Sequence, residues 1–475
     1  MMTICRKKYK SMLHDIFLHK IIQHLYRFFI QGGAMPIALW FHISAFLSTL
    51  FFTFILAVMV TFAADNSSVT MNDVLRHVAQ SNPIILSQIE QVKATEEQYP
   101  QAMAGWKPSV FAEASLFSTN IDNSNFNNGD GATTKDYTLS IDQPLYRGGR
   151  TTAEVERARK LISTAYERLR GVEAIIFLDT MTAYRDVLRD RDIVSLQKNS
   201  RQNLVKELES ALGLEKEGMV TKTDVAQARA RATRAEADYI AATADLSRSE
   251  ARFYQLVGFM PPKTMVIPYY DFDIPQDLES LQVVAEQKSP DMLIAHYTKE
   301  AAEYGVDVSR ADLYPQVTAF ASHNQQYDPQ PGIIDDSAVQ TIGVRARLAL
   351  YQGGATRSRI REARRNAKRS DVQIEDVKRQ VKQKVTSLWQ SYRAAKAETE
   401  SRKIEVEASG FSLDGIQEEM RNGQRSIFDV LESEEDYVRS KKALVSAQYK
   451  EAVAQYGLLE ATGLLTLPMV LSSVQ

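Results

Sequence analysis

Thiols are nearly absent, with one cysteine, Cys5, among 475 residues. That excludes a disulfide scaffold and any thiolate zinc centre. Histidine is also scarce: of seven, four (His14, His19, His24 and His42) fall in the first 64 residues. The other three, His77, His296 and His323, are far apart in sequence and suggest no metal site. Neither a GxSxG nucleophile elbow nor a phosphate-binding glycine loop occurs, so catalysis has little to stand on. No excess of basic charge is present, with 57 Lys+Arg against 59 Asp+Glu, so nucleic-acid binding has no electrostatic footprint. A mean hydropathy of −0.28 with 24% charged residues excludes a polytopic helical membrane protein.

What hydrophobic run there is lies at the start. Arg6, Lys7, Lys8 and Lys10 precede an uncharged stretch over residues 37–64 that ends at Ala63-Ala64. Basic front, apolar run and small residues in that order read as a secretory signal, cleaved near Ala63-Ala64. Gly32-Gly33 and Pro36 interrupt the basic part, which leaves Met1 and Met35 both open as starts. The alternative is an uncleaved anchor, because the run is long enough to span ~30 Å of hydrocarbon. Without residues 1–64 the chain keeps 51 basic and 58 acidic residues, a net of −7, and no cysteine.

The rest is one unit written twice. Leu145-Tyr146-Arg147-Gly148-Gly149-Arg150 recurs as Leu350-Tyr351-Gln352-Gly353-Gly354-Ala355, an offset of 205. The same offset carries Gly218 to Gly423, Asp224-Val225 to Asp429-Val430, and Gly258 to Gly463. Constant spacing over so long a stretch implies helices packed in register. The expected division is a leader at 1–64, repeat units at 65–275 and 276–468, and a tail at 469–475. Expected strands occupy about 109–146 and 316–351. Expected helices span about 72–105, 151–217 and 221–258, then 278–313, 356–422 and 426–462.

Proline is missing from residue 145 to residue 260. Ala158, Ile162, Ala165, Leu169, Val172 and Ile176 keep a four-three spacing, as do Val225, Ala228, Ala232, Ala235, Tyr239 and Ala242. Heptads rich in small residues predict closely packed coiled coils. A helix over 151–217 would be about 100 Å long at ~1.5 Å per residue. The segments around 110–114 and 137–142 alternate as strands do, as does 342–350. Two hairpins per chain cannot be stable alone, so they pair with each other or with other chains.

Tandem units of helix, β-hairpin, Leu-Tyr-x-Gly-Gly and very long helical hairpin resemble the TolC family of outer-membrane channel proteins. The likeness covers about residues 69–468. Its most specific parts are the two Gly-Gly motifs and the run Asn422-Gly423-Gln424-Arg425-Ser426-Ile427-Phe428-Asp429-Val430-Leu431-Glu432. The resemblance implies a mainly α fold with a small β part. Three chains would close a twelve-stranded outer-membrane barrel, continued by an α-helical periplasmic tunnel. It implies no enzymatic activity, no cofactor and no nucleic-acid partner. The implied partners are outer-membrane lipid, a periplasmic adaptor, and an inner-membrane pump or ABC transporter.

Residue by residue, the resemblance puts acidic rings of the aperture at Asp429 and Glu432, and a closed-state link at Asp224 and Arg425. Met420 stands where the family carries a tyrosine of that link, so one hydrogen bond of closure is missing. Gly218 and Gly423 mark the tips that would dock the adaptor. Arg345 and Arg347 should face the barrel lumen, since a cation on the lipid face costs ~2–4 kcal/mol at the midplane. Residues 120–135 and 328–337 would be extracellular loops. The competing reading is a periplasmic coiled-coil adaptor anchored by residues 37–64, which leaves the twin β-segments unexplained. No residue pattern encodes the substrate.

Overall fold

The computed structural model describes residues 69–119, 132–266, 275, 277–330 and 334–472, all within the unit Ser68–Gln475. The leader with Cys5, and most of the expected loop at 120–135, lie outside the described residues.

Each half enters through short helices. In the first, Thr70 starts α1 (Met71–Ser81) with a capping box: its side chain accepts from the Asp73 N–H, and the Asp73 carboxylate reaches back. Asn82 ends α1 and caps α2 (Pro83–Glu96), accepting from the Ile84 N–H at 2.9 Å. A single helix over 72–105 is therefore not found. Pro83 lacks the N–H that a continuous helix needs, so the chain stops and restarts there. Then come α3 (Gln98–Met103) and a 3₁₀ turn, Ala104–Trp106. The same happens in the second half, where α6 (Leu278–Lys288) gives way at Ser289 to α7 (Pro290–Arg310).

Between these entry helices and the long hairpins lies the sheet. Strands β1 (Ser109–Thr119), β2 (Ala132–Arg147), β3 (Gln316–Gln330) and β4 (Ile334–Arg347) form one antiparallel sheet in the order β1-β2-β3-β4. The two hairpins thus pair with each other, Lys135 opposite Tyr327 through Arg147 opposite Gln316. β2 begins at Ala132, β3 runs to Gln330 and β4 starts at Ile334, so the described residues of the two expected loops, 132–135, 328–330 and 334–337, are strand. β4 ends at Arg347 rather than near 351, and Leu350 and Tyr351 stand exposed beyond it.

From the sheet run α4 (Arg150–Lys216) and α8 (Ala355–Arg421), both 67 residues long, followed by α5 (Lys222–Val257) and α9 (Ile427–Ala461). A short α10 (Leu467–Ser472) closes the chain. α4 pairs with α5 and α8 with α9, through a seam of small side chains. Ala228, Ala232, Ala235 and Ala242 of α5 are buried there, while Ala158 and Ala165 of α4 are buried nearer the sheet, on the stretch where Lys160 pairs with Glu300 of α7. Alanine lets two helix axes approach closely while costing no side-chain entropy. Next to the sheet α2 packs on α4, α4 on α7, and α7 on α8. That lateral order repeats the strand order, so every strand continues into, or out of, the helix at its own position in the wall.

The largest core lies midway along the long helices. Tyr184, Phe253, Leu281, Tyr456 and Leu458 are buried there with Met71 and Leu75 of α1. Burial pushes the Tyr184 phenol up to about 12, and its hydroxyl donates to the Val266 carbonyl at 2.7 Å. Beside it Arg189 bonds Asp186 at 2.9 Å and Asp190 at 2.7 Å, and its guanidinium lies 4.4 Å from the centre of the Tyr449 ring. Ser249 donates to Asp190, so α4, α5 and α9 are tied at one level.

Candidate functional site: strand faces and hairpin tips

Alternation gives the sheet two unlike faces. The register groups Val110, Leu139, Ile141, Ala321, Ile342 and Val344 on one of them. These side chains are largely exposed, Ile342 at 87%. Tyr137 and Tyr327 meet edge to face at 6.1 Å on this face, toward the β1–β2 and β3–β4 turns. An exposed apolar band bordered by aromatics is what a lipid-facing wall requires.

The other face is polar. Asn324 donates to Asp136 at 2.7 Å and to Thr138 at 2.8 Å, and Gln326 donates to Asp136 at 3.3 Å. Arg345 and Arg347 lie on this polar face, opposite Thr318 and Gln316. The Arg345 guanidinium sits over the Phe320 ring at 4.6 Å. The same ring covers Gly343, where an added Cβ would stand 3.0 Å from it. Sequence reasoning missed this stack. A glycine in mid-strand, Gly343, with an aromatic directly opposite on the paired strand was the available signal.

At the strand–helix junction Gly148 has φ +65°, and an added Cβ would lie 2.5 Å from the Ala311 carbonyl oxygen. Arg150 of the first Gly-Gly motif binds Asp312, which also receives Arg359 at 3.3 Å. One carboxylate thus joins the first turns of α4 and α8. In the second repeat Ala355 replaces Arg150, so this link too had a signal, in the difference between twin positions.

At the opposite ends of the long helices are the tips. Gly218 at φ +78° and Gly423 at φ +72° take the left-handed conformation that ends a helix. The Met219 N–H returns to Leu214 O at 2.9 Å and the Gln424 N–H to Glu419 O at 2.8 Å, satisfying helix-end carbonyls. Three residues after each glycine a capping box begins the next helix. The Asp224 Oδ2 accepts from the Thr221 N–H at 2.8 Å and hydroxyl at 2.9 Å. The Asp429 Oδ2 accepts from the Ser426 N–H and hydroxyl, both at 2.9 Å. Hydrogen bonding from the Ser426 backbone N–H holds the Asp429 carboxyl below the ordinary aspartate range.

Asp224 and Arg425 are not joined in the single chain. Arg425 Nε bonds Glu419 Oε2 at 2.9 Å, which raises the arginine's pKa. Both cap bonds of Asp224 use Oδ2. Met420 is half-buried, and its carbonyl accepts from the Gly423 N–H at 2.9 Å. Glu432 is exposed one turn beyond Asp429, on the same side of α9. Among the described residues there is no helix long and apolar enough to cross a membrane, and no His/Cys/Asp/Glu group able to hold a metal.

The family model described as outer membrane efflux protein matches residues 74–259 and 281–464. The chain is 29% identical over 399 residues to the outer membrane efflux protein BepC of Brucella suis, covering 84% of this chain and 86% of that protein. It is 25% identical over 323 residues to the outer membrane protein TolC of Escherichia coli, covering 64% of this chain and 66% of that one. The solved structure of the outer membrane protein VceC from Vibrio cholerae shares the fold with a TM-score of 0.68 at 20% identity, covering 83% of this chain and 96% of that one. Nothing in these comparisons supports the periplasmic-adaptor reading. Exposed apolar strand face, polar reverse face, paired long hairpins and the match over both halves agree: this chain belongs to the outer membrane efflux protein family, whose members are transport ducts of the outer membrane rather than enzymes.

Proposed function

We propose that three copies of this chain form the exit duct of a tripartite efflux pump or a type I secretion system, closed at its tips and opened on docking. The observation that carries the reading is a four-stranded sheet with an exposed apolar face and two unpaired edges, β1 and β4. Free edges of that length pair with other chains unless something covers them. Closure into a barrel removes every edge, and the matching helix order would extend that barrel into a tunnel wall. Repeat units at 65–275 and 276–468 then contribute one hairpin and one helical coil each, behind a leader at 1–64.

In the barrel Arg345 and Arg347 face the lumen. At the tips, Asp429 and Glu432 form two stacked carboxylate rings under three-fold symmetry, a field that favours cations. Asp224 and Arg425 supply the closed-state link. Its formation requires Arg425 to leave Glu419, and an exposed, solvent-screened pair of that kind holds weakly. The capping role of Asp224 survives, because Oδ1 takes the guanidinium while Oδ2 keeps Thr221. Gly218 and Gly423 shape the turns that meet an adaptor, which connects the duct to an inner-membrane pump or ABC transporter.

Planar-bilayer recording tests this. The purified protein is expected to give discrete, cation-selective conductance steps, with selectivity reduced in the Asp429→Asn/Glu432→Gln double variant. Failure to conduct in any lipid would overturn the duct, and unchanged selectivity would overturn the rings.

A further inference from the structure

The two long helices start alike and are charged differently. Residues 355–369 carry seven cations, Arg357, Arg359, Arg361, Arg364, Arg365, Lys368 and Arg369, against the single acid Glu362. Like charges spaced three and four apart repel along a helix. Arg359 is bound to Asp312 and Lys368 to Asp371. Arg357, Arg361, Arg364 and Arg365 are exposed and form no ion pair or hydrogen bond among the described residues. At the matching positions of α4 stand Thr152, Glu156, Arg159 and Lys160. There Arg159 pairs with Glu156 at 2.9 Å and Lys160 with Glu300 at 2.6 Å. Both helices have the same length, so the fold does not require the cations.

Their placement identifies what they meet. Arg357, Arg361, Arg364 and Lys368 form a stripe at helical spacing, continued by Val372, Glu375, Arg379 and Lys382 to Thr386. Residues 357 and 386 are about eight turns apart, hence on nearly the same azimuth. At the far end of that stripe Gln282 of α6 bonds Thr386 at 3.0 Å, and Lys378 beside it pairs with Glu286 at 2.9 Å. The stripe therefore lies on the side of the wall that the small helices cover. The first three arginines fall within ~15 Å of the start of α8. Immediately before it Leu348, Leu350 and Tyr351 are exposed, Leu350 at 89%. A cationic stripe directly beyond an apolar band matches the phosphate layer of a bilayer, where an arginine stem lies along apolar surface and its head reaches the headgroups.

We infer that Arg357, Arg361 and Arg364 form a docking stripe for the phosphate headgroups of anionic phospholipid in the leaflet bordering the helical wall. The inference rests on the outer-membrane duct reading. Its test uses the full protein reconstituted in vesicles of phosphatidylethanolamine with a minority of phosphatidylglycerol, re-extracted, with the retained lipid quantified by mass spectrometry. The wild type is expected to retain phosphatidylglycerol about fivefold over its share of the vesicle, salt-sensitively. Enrichment should vanish in Arg357→Gln/Arg361→Gln/Arg364→Gln and return in the corresponding triple lysine variant. Equal enrichment in the glutamine variant would overturn the stripe. So would displacement of the lipid by inorganic phosphate at matched ionic strength, which marks an adventitious anion site. Loss of the trimer band on an unheated gel in the glutamine variant would also overturn it, assigning the cations to contact between copies. Bilayer conductance is measured in parallel: a conducting variant without enrichment leaves the duct standing, and its loss of enrichment counts for the stripe alone.

Discussion

Asp429 and Asp224 illustrate how one side chain serves two scales. Each is the third residue of its helix and returns one carboxylate oxygen, Oδ2, to the cap residue. Ser426→Ala removes the hydroxyl from the α9 cap and should cost about 1 kcal/mol of local stability. Hydrogen exchange at the first amides of α9 should speed up accordingly. The folded Asp429 pKa is depressed, so its contribution is fully present above the ordinary aspartate value and is lost as pH falls from there through the lower folded value. Fraying of the α9 start should therefore appear below about pH 4. Protection factors there that stay constant on acidification, referenced to unstructured-peptide rates at each pH, would contradict the cap assignment. If Arg425 supplies the proposed closed-state link, Arg425→Ser should raise single-channel conductance, and an unchanged conductance would refute the link. Asp224, Arg425, Asp429 and Glu432 came to attention through family likeness. Their residue types alone, at charged turns, read equally well as solvated side chains.

At the scale of elements the sequence was most informative where spacing was long and unbroken. Ala158, Ala165, Ala232 and Ala242 on a heptad register were legible as a seam and are buried. Boundaries were less so. Asn82-Pro83 and Ser289-Pro290 each break what average periodicity presents as one helix, because a cap residue followed by proline outweighs the flanking pattern. The sequence leaves the pairing of β2 with β3 open, since residues over a hundred positions apart carry no local signature of their register. The glycines of the two Gly-Gly motifs look equivalent in sequence but differ in their surroundings. Gly148 approaches the Ala311 carbonyl, whereas Gly353, at φ +61°, has open space where a Cβ would go. Gly148→Ala should thus lower the thermal midpoint by an amount corresponding to roughly 1–3 kcal/mol. Gly353→Ala should cost less, about 1 kcal/mol, from conformation alone. Equal shifts would contradict the close contact at the first junction.

The whole molecule makes sense only beyond one chain. A lone subunit exposes Ile342, Val344 and Val110 to solvent and leaves β1 and β4 unpaired, a combination that aggregates unless closed. Closure by the proposed three-fold assembly would place the apolar face in lipid and the Asp136–Asn324 and Phe320–Arg345 groups inside. It is also the claim most directly open to chemistry, because the chain without residues 1–64 has no thiol. Within one subunit β1 and β4 are three strand spacings apart, about 14 Å, too far for a disulfide. Val110→Cys, Ala112→Cys or Ala114→Cys can be combined in turn with Ile342→Cys, Val344→Cys or Ala346→Cys and oxidised in outer-membrane fractions. A non-reducing gel should show, for at least one pair, covalent dimer and trimer with nothing larger. No crosslink in any pair, or a ladder running past three subunits, would contradict the closed barrel.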